Sequence, residues 1–270
     1  MPEAPEVEAV VRALRKHVVG QTICACNVIH PIAVKPQTPA LITKLLRGNR
    51  IEEVSRIGKY LILWLARGIL AFHFKFDGQI FLFDAAPPSG QHVDVLLTLD
   101  KVTLGFVDPR HLGRMNWYES VAATPALKKL GVDIFSSEFT LAELDAILEK
   151  SRLAVKILLT DQTKLAGLGN MYSSEALWRA RLNPRRKANR LAPEETRRLH
   201  KAIVSTAHRA LECCSHPPPD FRNPEWWFSD LTPILRVYGR EGERCRRCGG
   251  TIKRIQQGGR SSFFCPRCQR

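Results

Sequence analysis

Acidic residues are scarce in this chain: 26 Asp and Glu stand against 41 Lys and Arg, a formal net charge of +15. That imbalance argues against cationic partners and favours polyanions, nucleic acid first and an anionic membrane surface second. Long apolar runs are also missing. The longest, Tyr60-Leu61-Ile62-Leu63-Trp64-Leu65-Ala66, ends at Arg67 and is far too short to span a bilayer. The first residues carry acids instead of a basic stretch followed by an apolar one, so no secretory signal is expected. There is no internal repeat and no low-complexity tract, which excludes a solenoid. The eight cysteines do not read as a disulfide framework, because four of them have metal-ligand spacing; a reducing compartment is expected.

What is present is enough for a sizeable core. With 270 residues, 44% of them apolar, two compact domains or one with an appendage are expected. Val7, Val10, Val11 and Leu14 recur at helical spacing and predict an amphipathic helix over 5–17, and a short helix over 39–47 should stop at Gly48. β-branched and alternating segments at 23–29, 51–56, 59–65, 69–75, 79–83, 93–99 and 102–107 predict an antiparallel sandwich or barrel, with a tight turn at Asp100-Lys101. From about 125 to 213 the pattern becomes helical. Thr140 and Glu143 have capping-box spacing, and Pro193 opens a long basic helix. The domain boundary is placed near 120–137, and the Pro-, Trp- and Phe-rich stretch 215–235 reads as irregular.

Three features carry chemistry. Pro2 follows the initiator Met, whose removal a small second residue permits, and a free proline amine is a secondary amine that can attack carbon and form an iminium. Glu3 and Glu6 could move protons beside it, although proline and acids also suit an ordinary helix entry. Cys245-Arg246-Arg247-Cys248 and Cys265-Pro266-Arg267-Cys268 are two thiolate pairs with the spacing of a structural, tetrahedral zinc site, which leaves no open position for water. Lys253, Arg254 and Arg260 lie between the pairs, as on a nucleic-acid-binding hairpin. The other cysteines, Cys24, Cys26, Cys213 and Cys214, read as reduced structural thiols. Finally, Gly167 and Gly169 precede Asn170 at a helix start. This is either a tight interhelical turn or a place where free N–H groups meet phosphate, with Arg179, Arg181, Arg185, Arg186 and Lys187 beyond it.

Five motifs occur in order: Pro2-Glu3-Ala4-Pro5-Glu6-Val7-Glu8, Gly58-Lys59-Tyr60-Leu61, Asp108-Pro109-Arg110, the 164–175 segment, and Val237-Tyr238-Gly239-Arg240-Glu241-Gly242 ahead of the four cysteines. Together they resemble the formamidopyrimidine-DNA glycosylase and endonuclease VIII family over nearly the whole chain, closer to the formamidopyrimidine branch. The resemblance implies an α+β multidomain fold. An N-terminal antiparallel β-sandwich flanked by helices would span 1–124, a helical helix–two-turn–helix domain 125–236, and a zinc-finger hairpin 237–270. It implies a base-excision-repair glycosylase with AP lyase activity that removes oxidised or ring-opened bases from duplex DNA.

In that scheme Pro2 attacks sugar C1′ and forms a Schiff base, Glu3 protonates the ring oxygen, and Glu6 orients the amine. Lys59 grips phosphate beside them and is grouped with the catalytic residues. His73, Arg110, Lys156, Asn170 and Arg260 match DNA-contacting positions, with Arg110 filling the void left by an everted base. One structural zinc on Cys245, Cys248, Cys265 and Cys268 is the expected cofactor. Damaged double-stranded DNA is the expected partner of a monomer that engages no membrane; a cytoplasmic location, nucleoid-associated in a bacterium, follows.

Three departures bear on substrate. Phe74-Lys75-Phe76-Asp77-Gly78 replaces the branch's Leu-Gly-Met run, so Phe76 stands in for a wedge methionine. Leu112 stands where a wedge phenylalanine is usual. The 213–230 segment lacks the Gly-Gly-Thr-Thr-Leu-like stretch, so recognition of an oxidised purine is not carried over to it; Trp226 or Trp227 could stack on a base or simply pack. A non-catalytic binder of damaged or branched DNA on the same scaffold is the alternative, and a zinc-ribbon RNA-binding protein is a third reading that leaves Pro2-Glu3 unexplained.

Overall fold

A computed structural model describes residues 2–84, 92–216, 219–222 and 231–270. Two compact units are formed, with the change of unit at Lys128/Lys129. No helix among the described residues is long and apolar enough to cross a membrane.

The first unit opens with helix α1 (Ala4–Val18), whose Val7, Val10, Val11 and Leu14 are buried on one face as their spacing predicts. The strands that follow are β1 (Thr22–Val28), β2 (Asn49–Ile57), β3 (Tyr60–Leu65), β4 (Ile69–His73), β5 (Gln79–Phe83), β6 (Val93–Leu99), β7 (Thr103–Val107) and β8 (Arg114–Tyr118). Helix α2 (Pro39–Leu46) lies between β1 and β2, is capped by the Thr38 hydroxyl and ends ahead of Gly48. The strands run in the order β5-β7-β6-β1-β2-β3-β4-β8, with every pairing antiparallel. β1 and β2 share only Thr22↔Arg50 and Ile23↔Asn49, so the sheet bends there into two limbs. The limbs close over one core, where Phe72 of β4 meets Phe106 of β7 edge to face at 5.6 Å. The expected sandwich is therefore present, and α1 covers it from outside: Arg15 Nη2 donates to the Val54 carbonyl at 2.8 Å.

Strand β8 is an addition to the expected strands. Its burial does not alternate cleanly, and its buried polar residue, Asn116, donates to the Val34 and Lys35 carbonyls at 2.6 and 3.2 Å. A strand that buries an amide gives no apolar period-two signal. A second unexpected feature is the return of residues 219–222 to this unit. Phe221 is buried in its core, the Leu82 N–H donates to the Phe221 carbonyl at 3.0 Å, and Arg222 forks onto Asp84 at 2.7 and 3.1 Å.

The second unit contains β9 (Val132–Asp133), α3 (Leu141–Glu149), α4 (Val155–Leu159), β10 (Leu165–Ala166), α5 (Asn170–Ala180), most of α6 (Pro193–Ser215), and the hairpin β11 (Lys253–Gln257) and β12 (Arg260–Phe264). Thr140 caps α3 by accepting the Glu143 N–H at 3.1 Å, and Pro193 opens α6. Gly258 and Gly259 both have positive φ, 54° and 73°, as a two-residue hairpin turn of the mirror-image type requires. Trp226 and Trp227 lie outside the described residues.

Because Phe72 is fully buried where the limbs meet, Phe72→Ala should cost about 3–5 kcal/mol. Urea unfolding of the purified protein reads this directly; a loss below 1 kcal/mol, set against the range for such truncations, would contradict a single shared core.

Candidate nucleic-acid-processing site

In the first unit, Pro2 and Glu3 are both buried at the head of α1, with Glu3 only 2% exposed. Glu3 is the N-cap, and its own N–H donates to Glu6 Oε2 at 3.0 Å, completing a capping box with Glu6. Glu6 thus holds the backbone directly after Pro2. A strap then ties this helix to the turn that carries Lys59. Glu8 Oε2 accepts Arg56 Nε at 3.1 Å, and Arg56 Nη1 donates to the Gly58 carbonyl at 2.7 Å. Gly58 takes a positive φ of 59° between the paired residues Ile57 and Tyr60, and Lys59, 7% exposed, sits beside it.

His73 is paired with Tyr60 across β3 and β4, their rings 4.5 Å apart and edge to face. Burial first, then the charges of Lys75 and Lys59, pull its imidazole down to about 3. The Lys75 N–H donates to His73 Nδ1 at 3.0 Å, which fixes the neutral ring with its proton on Nε2. Lys59 and His73 are therefore brought together as a cation and a neutral donor.

The loop after β7 is built on one carboxylate. Asp108, fully buried, accepts the N–H groups of Arg110 at 3.0 Å, Leu112 at 2.8 Å and Gly113 at 2.6 Å. This projects Arg110 and Leu112 outward. Arg110 ion-pairs with Asp77 and lies over the Phe76 ring, 4.8 Å from its centroid. Phe76 is 47% exposed and Leu112 40% exposed, so two large apolar side chains flank an arginine at the surface.

In the second unit, Lys156, Asn170 and Arg260 line one cavity of about 250 Å³ together with Gln257, Gly258 and Ser262. Lys156 is 2% exposed, and Nζ donates to the Asn170 carbonyl at 2.7 Å, to Asn170 Oδ1 at 2.8 Å and to Ser173 Oγ at 2.6 Å. Asn170 Nδ2 in turn donates to the Ser261 carbonyl of β12 at 2.9 Å. Gly169 is the N-cap of α5 and makes no side-chain cap.

Cys245, Cys248, Cys265 and Cys268 converge with their sulfurs within 4.8 Å of one another. Cys245–Cys268 and Cys248–Cys265 are 3.8 and 3.5 Å apart, against about 3.8 Å for an edge of a tetrahedron with zinc–sulfur bonds of about 2.3 Å. Burial acts to raise the Cys245 thiol, but backbone N–H groups and the Trp178 indole N–H at 3.4 Å outweigh it and hold it at about 6. The convergence of four sulfurs at these separations fits one structural zinc. Arg247 covers the far face of Trp178 at 3.9 Å.

Sequence reasoning missed Glu175, the joint between α5 and this finger. Although buried, it accepts the N–H groups of Arg236, Val237 and Tyr238 at 2.8, 2.8 and 2.9 Å. Burial pushes its carboxyl up, opposed by those N–H groups and Arg179. The available signal was a carboxylate next to Ala176 and Leu177 within a buried helix.

Comparison with known proteins gives the family. The family model for the formamidopyrimidine-DNA glycosylase N-terminal domain matches residues 1–115, the one for its H2TH domain 130–216, and the zinc finger found in FPG and IleRS 242–270. The chain belongs to the formamidopyrimidine-DNA glycosylase family. Relatives of that name from Exiguobacterium sp. and Pelotomaculum thermopropionicum are 35% and 36% identical, over 100% of this chain and 99% of each of theirs. The Lactococcus lactis Fpg in complex with abasic-site DNA superposes with a TM-score of 0.90 at 31% identity, covering 99% of both chains. The complex of that enzyme with FAPY-dG-containing DNA gives 0.89 at 31% identity, covering 99% of this chain and 100% of that one.

Two outcomes are expected. Glu175→Ala strands three backbone donors and should cost about 3 kcal/mol, opening the 236–240 stretch to protease; cleavage no faster than in the parent would contradict the anchoring role. By NMR titration, His73 should stay neutral well below pH 6. Between about 6.5 and about 3 the unfolded chain takes up a proton that folded His73 refuses, so this group lowers stability as pH falls through that window. A folded-state midpoint near 6 would contradict the burial argument.

Proposed function

We propose that this chain is a base-excision DNA glycosylase with AP lyase activity, acting on oxidised or ring-opened bases in duplex DNA through Pro2. The observation that carries the reading is the buried Pro2-Glu3 pair at the head of α1, strapped to the Lys59 turn, in a chain that matches formamidopyrimidine-DNA glycosylases end to end.

A base within a duplex is out of reach, so the nucleotide is everted first. Phe76 and Leu112 are wedges, and Arg110 releases Asp77 to occupy the vacated position. The Pro2 nitrogen, freed of Met1 and unprotonated, attacks sugar C1′ with its lone pair. As that bond forms, the damaged base leaves with the electrons of its glycosidic bond and takes up the proton shed by the amine; Glu3 then gives a proton to the ring oxygen, and the freed nitrogen lone pair closes the C=N bond as the C1′–O bond breaks. The iminium that joins Pro2 to the opened sugar withdraws electrons, so a C2′ proton is lost and the 3′ phosphate departs. A second elimination releases the 5′ phosphate and leaves a one-nucleotide gap.

Lys59 neutralises phosphate at the reacting nucleotide, and neutral His73 can donate from Nε2 without adding charge. In the second unit, Asn170 and Arg260 hold phosphate at the cavity they line, and Lys156 acts through Asn170. Zinc supplies the finger's fold and takes no part in these steps. In a bacterial cell such a protein would sit on the nucleoid.

Borohydride added during turnover of an abasic or oxidised-base duplex should trap a covalent adduct on the Pro2 peptide, read by mass spectrometry. Pro2→Gly, or an N-terminal extension that turns the amine into an amide, should lose nicking almost entirely; Glu3→Gln should slow base release by about 10²–10⁴-fold. Full retention of function by Pro2→Gly would favour the non-catalytic binder instead.

A further inference from the structure

We propose a second metal site, distinct from the cysteine cluster: His30, Asp94 and His111 form a three-ligand site for a divalent first-row transition ion at the base of the Arg110 loop. The three ligand atoms come from separate segments, one ahead of the short helical turn at Pro31–Val34, one in β6 and one in the loop after β7, and all lie within 4.8 Å of one another. Two metal bonds of about 2.1 Å separate ligand atoms by at most about 4.2 Å, so metal entry requires rotation of the partly exposed His30 ring and opening of the His111–Asp94 hydrogen bond.

The backbone of the arrangement is held by contacts that do not use the ligand atoms. The Asp94 carbonyl accepts the N–H groups of Ile29 and His30 at 2.9 and 3.1 Å, fixing the His30 backbone against β6. The His30 and His111 rings lie 4.1 Å apart. On the carboxylate, Oδ1 faces His111 Nδ1 at 2.5 Å, whereas Oδ2 is buried and meets no donor. Asp94 is fully buried. A buried carboxylate oxygen without a donor is costly, and a cation held by the carboxylate and the ring nitrogens would satisfy it.

Two imidazoles and one carboxylate suit zinc, cobalt, nickel or copper better than the all-oxygen preference of magnesium or calcium. Three protein ligands leave at least one position open to water or to an anion. His111 sits between Arg110 and Leu112, so a bound ion would staple that loop to β6 and stiffen the two side chains that project from it.

The test uses protein whose finger is already zinc-loaded. Cobalt(II) titration should add a second equivalent whose visible bands lack thiolate-to-metal charge transfer, because its ligands are nitrogen and oxygen. His30→Gln and His111→Gln should each weaken that uptake at least tenfold, about 1.4 kcal/mol, while the finger's metal stays in place. His30 is partly exposed and lies outside the β-sheet, so His30→Gln should remain folded even if His111→Gln does not. Uptake of only the finger's metal would overturn the proposal. So would a second equivalent that shows thiolate bands, or one that survives His30→Gln undiminished.

Discussion

The interaction on which both working regions depend is a buried carboxylate satisfied by backbone N–H groups. Asp108 gathers three of them to shape the loop that projects Arg110 and Leu112, and Glu175 gathers three to hang the zinc finger from α5. In a chain with 41 basic and 26 acidic residues, any of these acids could instead have been paired with an arginine. Pairing with the main chain fixes geometry without consuming surface cations. Some acids that do pair with arginines brace the fold: Glu8 with Arg56 ties α1 to the Lys59 turn, and Glu195 with Arg186 braces the start of α6. The positive surplus is left for a polyanion.

The zinc finger shows how little core such a module needs. Val237, Ile252, Trp178 and two of the cysteines make its buried cluster, with Phe263 alongside. So small a nucleus cannot hold the hairpin by hydrophobic burial alone, and four thiolates converging on one ion supply the missing constraint. Trp178 belongs to α5, so the finger borrows apolar surface and one sulfur-directed hydrogen bond from the helix that also presents Asn170. The Glu175 joint lies on that same helix.

Much of this was legible in the sequence because its signals are local and periodic. The apolar stripe of α1, the alternating strands, the Thr140 cap, the Pro193 start and the CxxC pairs each depend on neighbours a few residues apart. What was not legible depends on distant partners. β8 buries Asn116 against carbonyls about eighty positions earlier, and Phe221 completes a core whose other members end at Met115. His111 and Asp94 are unremarkable until β6 and the loop after β7 place them in contact. The ring of His73 is neutral because two lysines and its own burial surround it, a property no single position encodes.

Lys156 illustrates the limit most clearly, because a lysine in a short helix reads as a solvated cation. Here its ammonium is enclosed and all three donors are directed at Asn170 and Ser173. A lysine held this way has no proton left for a phosphate unless one of those bonds breaks. Its charge nonetheless lies at the first turn of α5, where it adds to the positive end of the helix dipole. Asn170, clamped between Lys156 and the Ser261 carbonyl, is then the side chain that meets solvent with its orientation already decided. The buried lysine sets the potential and the asparagine sets the geometry. That division explains why a charge so costly to bury is kept inside this unit rather than on its surface.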